Sequence, residues 1–436
     1  MNIDTSRKVS ALNRRSVLRV TAGGLLVGSI FRVAGANAQA TGPIKVGSLA
    51  PYTGPVARIG AAIKEGTTLA VEDARADGDL PVKVDGASRH IELVWVDDQS
   101  SPEAAVKAVM SAIQRDGIQF LLNGYHSNVA LAVMDVVVPY KVISFANMAA
   151  SPSIGEKIRK EPEKYKGFFK GWPSTGSELG MYVEPLKYFL DKGVWKPATK
   201  VAAVLTEDTD YGATFARAAD ETVKKFGFEV SFSDIVPLDQ TEFSSYITRY
   251  QAANVSLVVF NLSAPAGEAN FLKQLHAQKL KALIVAHGLT WVSEWAQLTG
   301  DASNFALTMD SPLAISPEQK AWTERFAKKF SHEASVVESG MPYDYTRMFI
   351  KTLAAAGTLD MDKVISQIEG MHYKGVFNGY QFATQPNQFA SYPHEIMTGP
   401  FMQGLFYPMV QLMNGEKKVV YPVDFKEADL RLPDWV

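Results

Sequence analysis

Two short stretches carry residue types that could do chemistry on a small molecule: Tyr125-His126-Ser127 and Asn147-Met148-Ala149-Ala150. Their hydroxyl, imidazole, amide and backbone N–H groups can hold a carboxylate or another electron-rich group. Ser127 also stands where it would cap a helix, whose N-terminal dipole favours the same ligand end. The run 207–212 (EDTDYG) adds Tyr211 beside acidic residues, which makes Asp208, Asp210 and His287 a conceivable hydrolytic or lytic set. Enzyme signatures are otherwise missing. There is no Gly-rich dinucleotide loop, no phosphate-binding loop ending in Gly-Lys-Ser/Thr and no Gly-x-Ser-x-Gly elbow. The seven histidines are dispersed without a zinc-binding pair, and Asp97-Asp98 reads as a solvated strand cap rather than a metal site. Neither catalysis, nor a cofactor, nor a metal is expected.

The elements that must position these residues are legible. Residues 120–122 read as a buried strand, 128–138 as an apolar helix and 142–145 as the next strand, a βαβ unit with parallel strands. Both polar stretches then lie at the carboxyl ends of neighbouring strands and open into one crevice. Before this unit come a strand at 44–50, a helix with Ile59 and Ile63 on its inner face, a strand at 91–96 and a helix from Pro102 to Gly117. Beyond a charged, Pro-containing stretch and an extended connector at 168–173, a helix over 178–190 leads into a second alternation. Its strands are expected at 201–206, 228–232, 256–261 and 282–286. Strand and helix alternating without a break predict parallel sheets covered on both faces. The chain is expected to cross back around 305–312, and the tail from Tyr380 reads as irregular packing.

Residues 1–40 read as a removable export signal: Arg14-Arg15, an apolar run over 20–31 and small residues ending at Ala40. Losing them removes six Lys/Arg and one Asp, leaving 38 basic against 45 acidic residues and a net charge of −7. That balance speaks against nucleic acid or an anionic membrane as partner. The absence of cysteine excludes disulfides, thiolate sites and a lipidated N-terminal cysteine. No later stretch is long and apolar enough to span a bilayer, so a freely soluble periplasmic monomer is expected. About 396 remaining residues call for two lobes, expected as 41–170 with 311–378 and 171–310 with 379–436.

A set of spaced motifs then becomes recognisable: 47–60 (GSLAPYTGPVARIG), 97–102 (DDQSSP), 208–212 (DTDYG), 236–244 (VPLDQTEFS), 271–274 (FLKQ) and Tyr343-Asp344. With them the chain resembles the periplasmic solute-binding proteins of ABC importers, of the branched-chain amino-acid-binding type. The match runs from about residue 44 to about residue 345, and the last ninety residues match poorly. The resemblance implies a type I periplasmic binding protein fold: two doubly wound α/β lobes with parallel central sheets, joined by a three-strand hinge. It also implies a cleft that closes on one small molecule and a closed form that docks on a membrane permease. A ligand sensor for a membrane receptor is the alternative within the same fold.

Carried over residue by residue, the resemblance places the ligand carboxylate against Tyr125, His126 and Ser127 and against Asn147, Met148, Ala149 and Ala150. It keeps the second-lobe tyrosine as Tyr211, and puts Ile59 where the amino-acid binders often have a tyrosine. The acidic residue that would meet an α-ammonium aligns with His287 or Gly288, and its loss argues against an α-amino acid. Tyr52, Phe145, Trp172, Ser263 and Trp291 complete the expected site, with Arg58 a further candidate for a carboxylate. An apolar or aromatic carboxylate, or a small amide, suits such a pocket, with amino acids still among the candidates.

Overall fold

The computed structural model describes residues 42–309 and 316–436. The expected export signal and residues 310–312 of the expected crossing at 305–312 fall outside them. The chain opens with β1 (Ile44–Ala50), α1 (Ala57–Ala76), β2 (Ile91–Asp97), α2 (Pro102–Ser111), β3 (Phe120–Asn123), α3 (Ser127–Val137), β4 (Ile143–Ala146), α4 (Pro152–Lys160) and β5 (Phe168–Lys170). These strands form one parallel sheet in the order β2-β1-β3-β4-β5. β1, β3 and β4 are buried almost throughout, as a sheet covered on both faces requires.

After α5 (Thr175–Gly180) and α6 (Val183–Asp191) the pattern repeats: β6 (Val201–Glu207), α7 (Asp210–Lys224), β7 (Glu229–Val236), α8 (Ser244–Ala252), β8 (Leu257–Phe260), α9 (Pro265–Ala277), β9 (Leu283–Ala286) and β10 (Leu307–Met309). Beyond α10 (Pro317–Phe330) and α11 (Met341–Ala356), a hairpin of β11 (Met409–Met413) and β12 (Glu416–Tyr421) completes the second sheet, in the order β12-β11-β10-β9-β8-β6-β7. Its strands are parallel up to β10, and the hairpin adds antiparallel. No helix among the described residues is long and apolar enough to cross a membrane.

Two glycines matter for geometry. A Cβ on Gly60 would sit 2.2 Å from the Pro51 carbonyl oxygen, so α1 reaches the turn after β1 only because that side chain is missing. Gly212 does the same for α7, where a Cβ would fall 1.9 Å from the Glu207 carbonyl oxygen. Both belong to the spaced motifs.

Several expectations need correction. The connector at 168–173 begins as strand β5, whose three residues are too few to show a period. The single helix at 178–190 is two, α5 and α6, separated at Met181 and Tyr182. The tail is irregular to residue 408 and again beyond Tyr421, with a hairpin between. Asn414 and Gly415, both at positive φ, then make the tight turn of the β11–β12 hairpin. The tail also touches the first sheet before joining the second, since Phe382 packs against Phe145 and Phe169.

Where the chain leaves the first sheet it is pinned by charge. Lys170 ends β5 fully buried, and its Nζ lies 3.1 Å from Oε1 of buried Glu395 and also donates to the Trp172 carbonyl. Glu395 accepts further from Ser174 Oγ at 2.6 Å and from the N–H groups of Ser391 and Tyr392 at 2.7 and 3.0 Å. Burial pulls the Lys170 ammonium below the usual lysine range, and Glu395 opposes that fall. Replacing Lys170 by Met strands Glu395 in the interior and is expected to lower stability by about 3–5 kcal/mol, with K170M/E395Q recovering part of the loss. Urea unfolding followed by circular dichroism measures both, and an unchanged midpoint for K170M would refute this role.

Candidate functional site

Loops at the carboxyl ends of both sheets meet around one cavity. The first sheet contributes Tyr125, His126 and Ser127 after β3, and Met148 and Ala150 after β4. The second contributes Tyr211 at the start of α7, Ser263 after β8 and Trp291 after β9, while the crossover contributes Trp172. Trp172 and Trp291 meet edge to face, with ring centres 5.1 Å apart at 72°. Five lining residues were absent from the sequence reading: Asn128, Glu178, Glu207, Thr209 and Asn261. Glu207, the last residue of β6, and Asn261, the first after β8, could have been found as the polar residues at those two strand ends. Thr209 and Asn128 could have been found as helix-start residues. Nothing in the pattern around Glu178 marks it.

The other expected residues lie elsewhere. Ile59 is core, and Phe145 stacks on Phe169 with ring centres 5.3 Å apart. Tyr52 bonds Ser48 and meets Trp95 edge-on. Asn147 Nδ2 donates to Asn123 Oδ1, tying two strand ends together, and Ala149 packs beneath them. Gly288, at φ 86°, donates its N–H to Thr308 Oγ1 and leaves room for the Trp291 ring. Arg58 is paired with Glu294 outside the cavity. His287 stands behind the wall with both ring nitrogens engaged, by Tyr182 and by Glu178, so it forms no pair with Asp208 or Asp210.

Ser127 is not the cap of α3. That position belongs to His126, whose side chain makes no capping bond, and Ser127 Oγ instead accepts the Ser151 N–H at 3.0 Å. The hydroxyl thus joins the loops after β3 and β4. Ser127→Ala is expected to lower stability by about 1–3 kcal/mol by orphaning that buried N–H. A thermal or urea midpoint equal to wild type would contradict the assignment.

The cavity is electrostatically two-faced. At one end, the N-terminus of α3, where the Val129 N–H already donates to Asn128 Oδ1, favours negative charge. At the other stand two buried carboxyls, Glu178 and Glu207, and the lining contains no Lys or Arg. Burial raises Glu207 above the usual carboxyl range, although Ser263 N–H at 2.6 Å, Ser263 Oγ at 2.9 Å and Thr209 Oγ1 at 3.0 Å all donate to it. Glu268, packed behind, is raised further by burial and by Glu207. Burial also pushes up Tyr125 and Tyr211 and pushes His126 down to about 4. Both His126 nitrogens, Tyr211 Oη, Glu178 Oε2, Asn261 Oδ1 and Trp291 Nε1 are buried without a protein partner. These donors and acceptors converge on one space and suit a polar ligand.

No acidic residue was expected at this end of the cavity, and the structure places Glu178 of α5 there, 2.7 Å from His287 Nε2.

The His126 shift has a stability consequence. With a folded pKa of about 4 against an ordinary value near 6.5, the unfolded chain takes up the proton first as pH falls. The contribution is intact above about pH 6.5 and lost towards pH 4, a change of about 3 kcal/mol. Asp98 and Asp344, raised to about 7 by burial, act with the opposite sign. They are common to wild type and His126→Gln, so they cancel in the difference. H126Q should lose less stability than wild type between pH 6.5 and 4, and parallel curves would refute the shift.

Comparison with known proteins places this geometry. The sequence pattern of the periplasmic binding protein family matches residues 43–398. A Leu/Ile/Val-binding protein of Rhizobium johnstonii is 28% identical over 287 residues, 66% of this chain and 72% of the relative. The leucine-, isoleucine-, valine-, threonine- and alanine-binding protein of Pseudomonas aeruginosa is 26% identical over 330 residues, 75% of this chain and 82% of the relative. Among solved structures, a leucine binding protein from Thermotoga maritima superposes with a TM-score of 0.70 at 16% identity, covering 86% of this chain and 97% of that one. A solute binding protein of an ABC transporter from Rhodopseudomonas palustris, in complex with benzoate, gives 0.68 at 18% identity, covering 87% and 96%.

Proposed function

Because the chain belongs to the periplasmic binding protein family, we propose that it captures one small organic solute between the loop ends of its two sheets and delivers it to the membrane permease of an ABC importer. The observation that carries this reading is the convergence of unpartnered buried polar atoms from both sheets on a single cavity. One end of the ligand, a carboxylate or an amide carbonyl, lies against the N-terminus of α3. Its apolar body lies among Trp172, Trp291, Met148 and Tyr125. Relatives that bind branched-chain amino acids, and a structural neighbour that holds benzoate, support ligands of this size.

The two bodies that close on the ligand are residues 41–170 with 311–378 and 171–310 with 379–436. Closure needs only that the ligand bind the closed form better than the open one. Export by the N-terminal segment would place the mature protein, free of catalytic duty, in the periplasm as a monomer.

A ligand present at a hundred times its dissociation constant should stabilise the protein by about 2.7 kcal/mol, which a thermal-shift screen detects. A panel of amino acids, aromatic and aliphatic acids, amides and amines should yield at least one such shift. It should be accompanied by a change in tryptophan emission that W172F and W291F diminish. A panel without any shift would sink the binding reading.

A further inference from the structure

The most consequential group in the cavity is one that no motif announces. Glu178 is 1% exposed, on the first turn of a short helix, and its two oxygens have different fates. Oε1 accepts from Trp172 Nε1 at 2.9 Å and faces His287 Nε2 at 2.7 Å. Oε2 is buried without a protein partner and belongs to the cavity wall.

Behind it runs a chain of hydrogen bonds that fixes direction. The Met309 N–H donates to Tyr182 Oη at 3.0 Å, and that hydroxyl lies 2.7 Å from His287 Nδ1. A carboxylate oxygen only accepts, so the 2.7 Å contact between His287 and Glu178 Oε1 is made by the Nε2–H of His287. His287 therefore holds the carboxylate in place and points its second oxygen inward, as an outer partner orients a ligating group.

What such an oxygen accepts is set by its surroundings. Glu207, the other carboxyl on the wall, already takes three donors, and Asn261 Oδ1 is a second open acceptor. No Lys or Arg lines the cavity, and the crossed rings of Trp172 and Trp291 offer the π surface that attracts cations. A ligand bearing only negative charge would face two carboxyls at this end and no counter-charge.

We propose that the cavity takes a ligand carrying a protonated nitrogen, held against Glu178 Oε2, with His287 as the positioning residue that aims the carboxylate. The inference rests on the solute-binding reading and narrows it to amines and amidinium-like cations, with or without a carboxylate at the other end. It separates this pocket from one built for a simple aromatic acid.

Calorimetry with matched probes tests it: leucine against 4-methylpentanoate, phenylalanine against 3-phenylpropanoate and benzylamine against benzoate. In wild type the amine of at least one pair should bind about 10–150-fold more tightly than its partner, the range expected for a buried hydrogen bond to a charged group. Glu178→Gln should erase that discrimination by weakening the amine, with the acid bound no less tightly than by wild type because one opposing carboxyl is gone. His287→Leu should weaken amine binding and alter its pH profile, and His287→Gln, which keeps a donor, should restore part of it. Circular dichroism and melting curves establish that each variant is folded, and the wild-type comparison stands without them. If the acids bind as tightly as the amines, or more tightly, the solute-binding reading survives and this inference falls. If no probe of any kind binds, the binding reading falls and takes the inference with it.

Discussion

The buried ion pair between Lys170 and Glu395 is the constraint on which the cavity depends. The two residues are 225 positions apart in the chain and almost wholly removed from water. Neither could be tolerated there alone, because an uncompensated charge in the interior costs several kcal/mol. Together they pin the place where the chain passes from the first sheet to the second. Backbone bonds on both sides of Lys170, to the His394 carbonyl and from the Ile396 N–H, make the junction part of the sheet rather than a loose tether. Trp172, Ser174 and Glu178 all follow within eight residues, so the position of the carboxylate in the cavity descends from this one junction.

The cavity is the product of two polarities brought face to face. One side is made of backbone, the N-terminus of α3 and the loop after β4, held together by Ser127 and Asn147. The other is made of side chains whose acidity burial has altered: Glu207 and, behind it, Glu268, both raised. Aromatic rings fill the space between. A dipolar wall of this kind orients a ligand end to end, whereas apolar packing alone would leave it free to turn.

Much of this was legible in the sequence, and the limits have physical reasons. The βαβ alternation and the convergence of the loops carrying Tyr125 and Ser127 at strand ends follow from periodicity and topology, which are local or nearly so, whereas Tyr211, Trp172 and Trp291 were expected in the same space only through the family resemblance. Phe145 and Ile59 illustrate the first limit: an apolar residue near a strand end looks the same whether it faces the cleft or the core. Asn147 illustrates the second, since a polar residue in a binding loop can be spent on tying backbone together. Glu178 illustrates the third. Its importance depends on His287, Trp172 and Tyr182, partners scattered over more than a hundred residues, and no window on the chain contains them. The Asn414-Gly415 hairpin, in contrast, was visible as a local turn signal and was lost among the aromatic residues of the tail.

Gly212 shows why kinship was easier to read than cargo. Its missing side chain lets α7 approach the end of β6 closely enough that Glu207 and Thr209 sit side by side. The motif that contains it is therefore a rule about clearance, and clearance is the same whichever molecule is carried. Signatures built from such spacers report the chassis and are silent about the passenger. A catalogue sorted by them would group transporters of chemically unrelated nutrients together, and the residues that tell those nutrients apart would be found in the unremarked positions between the signatures.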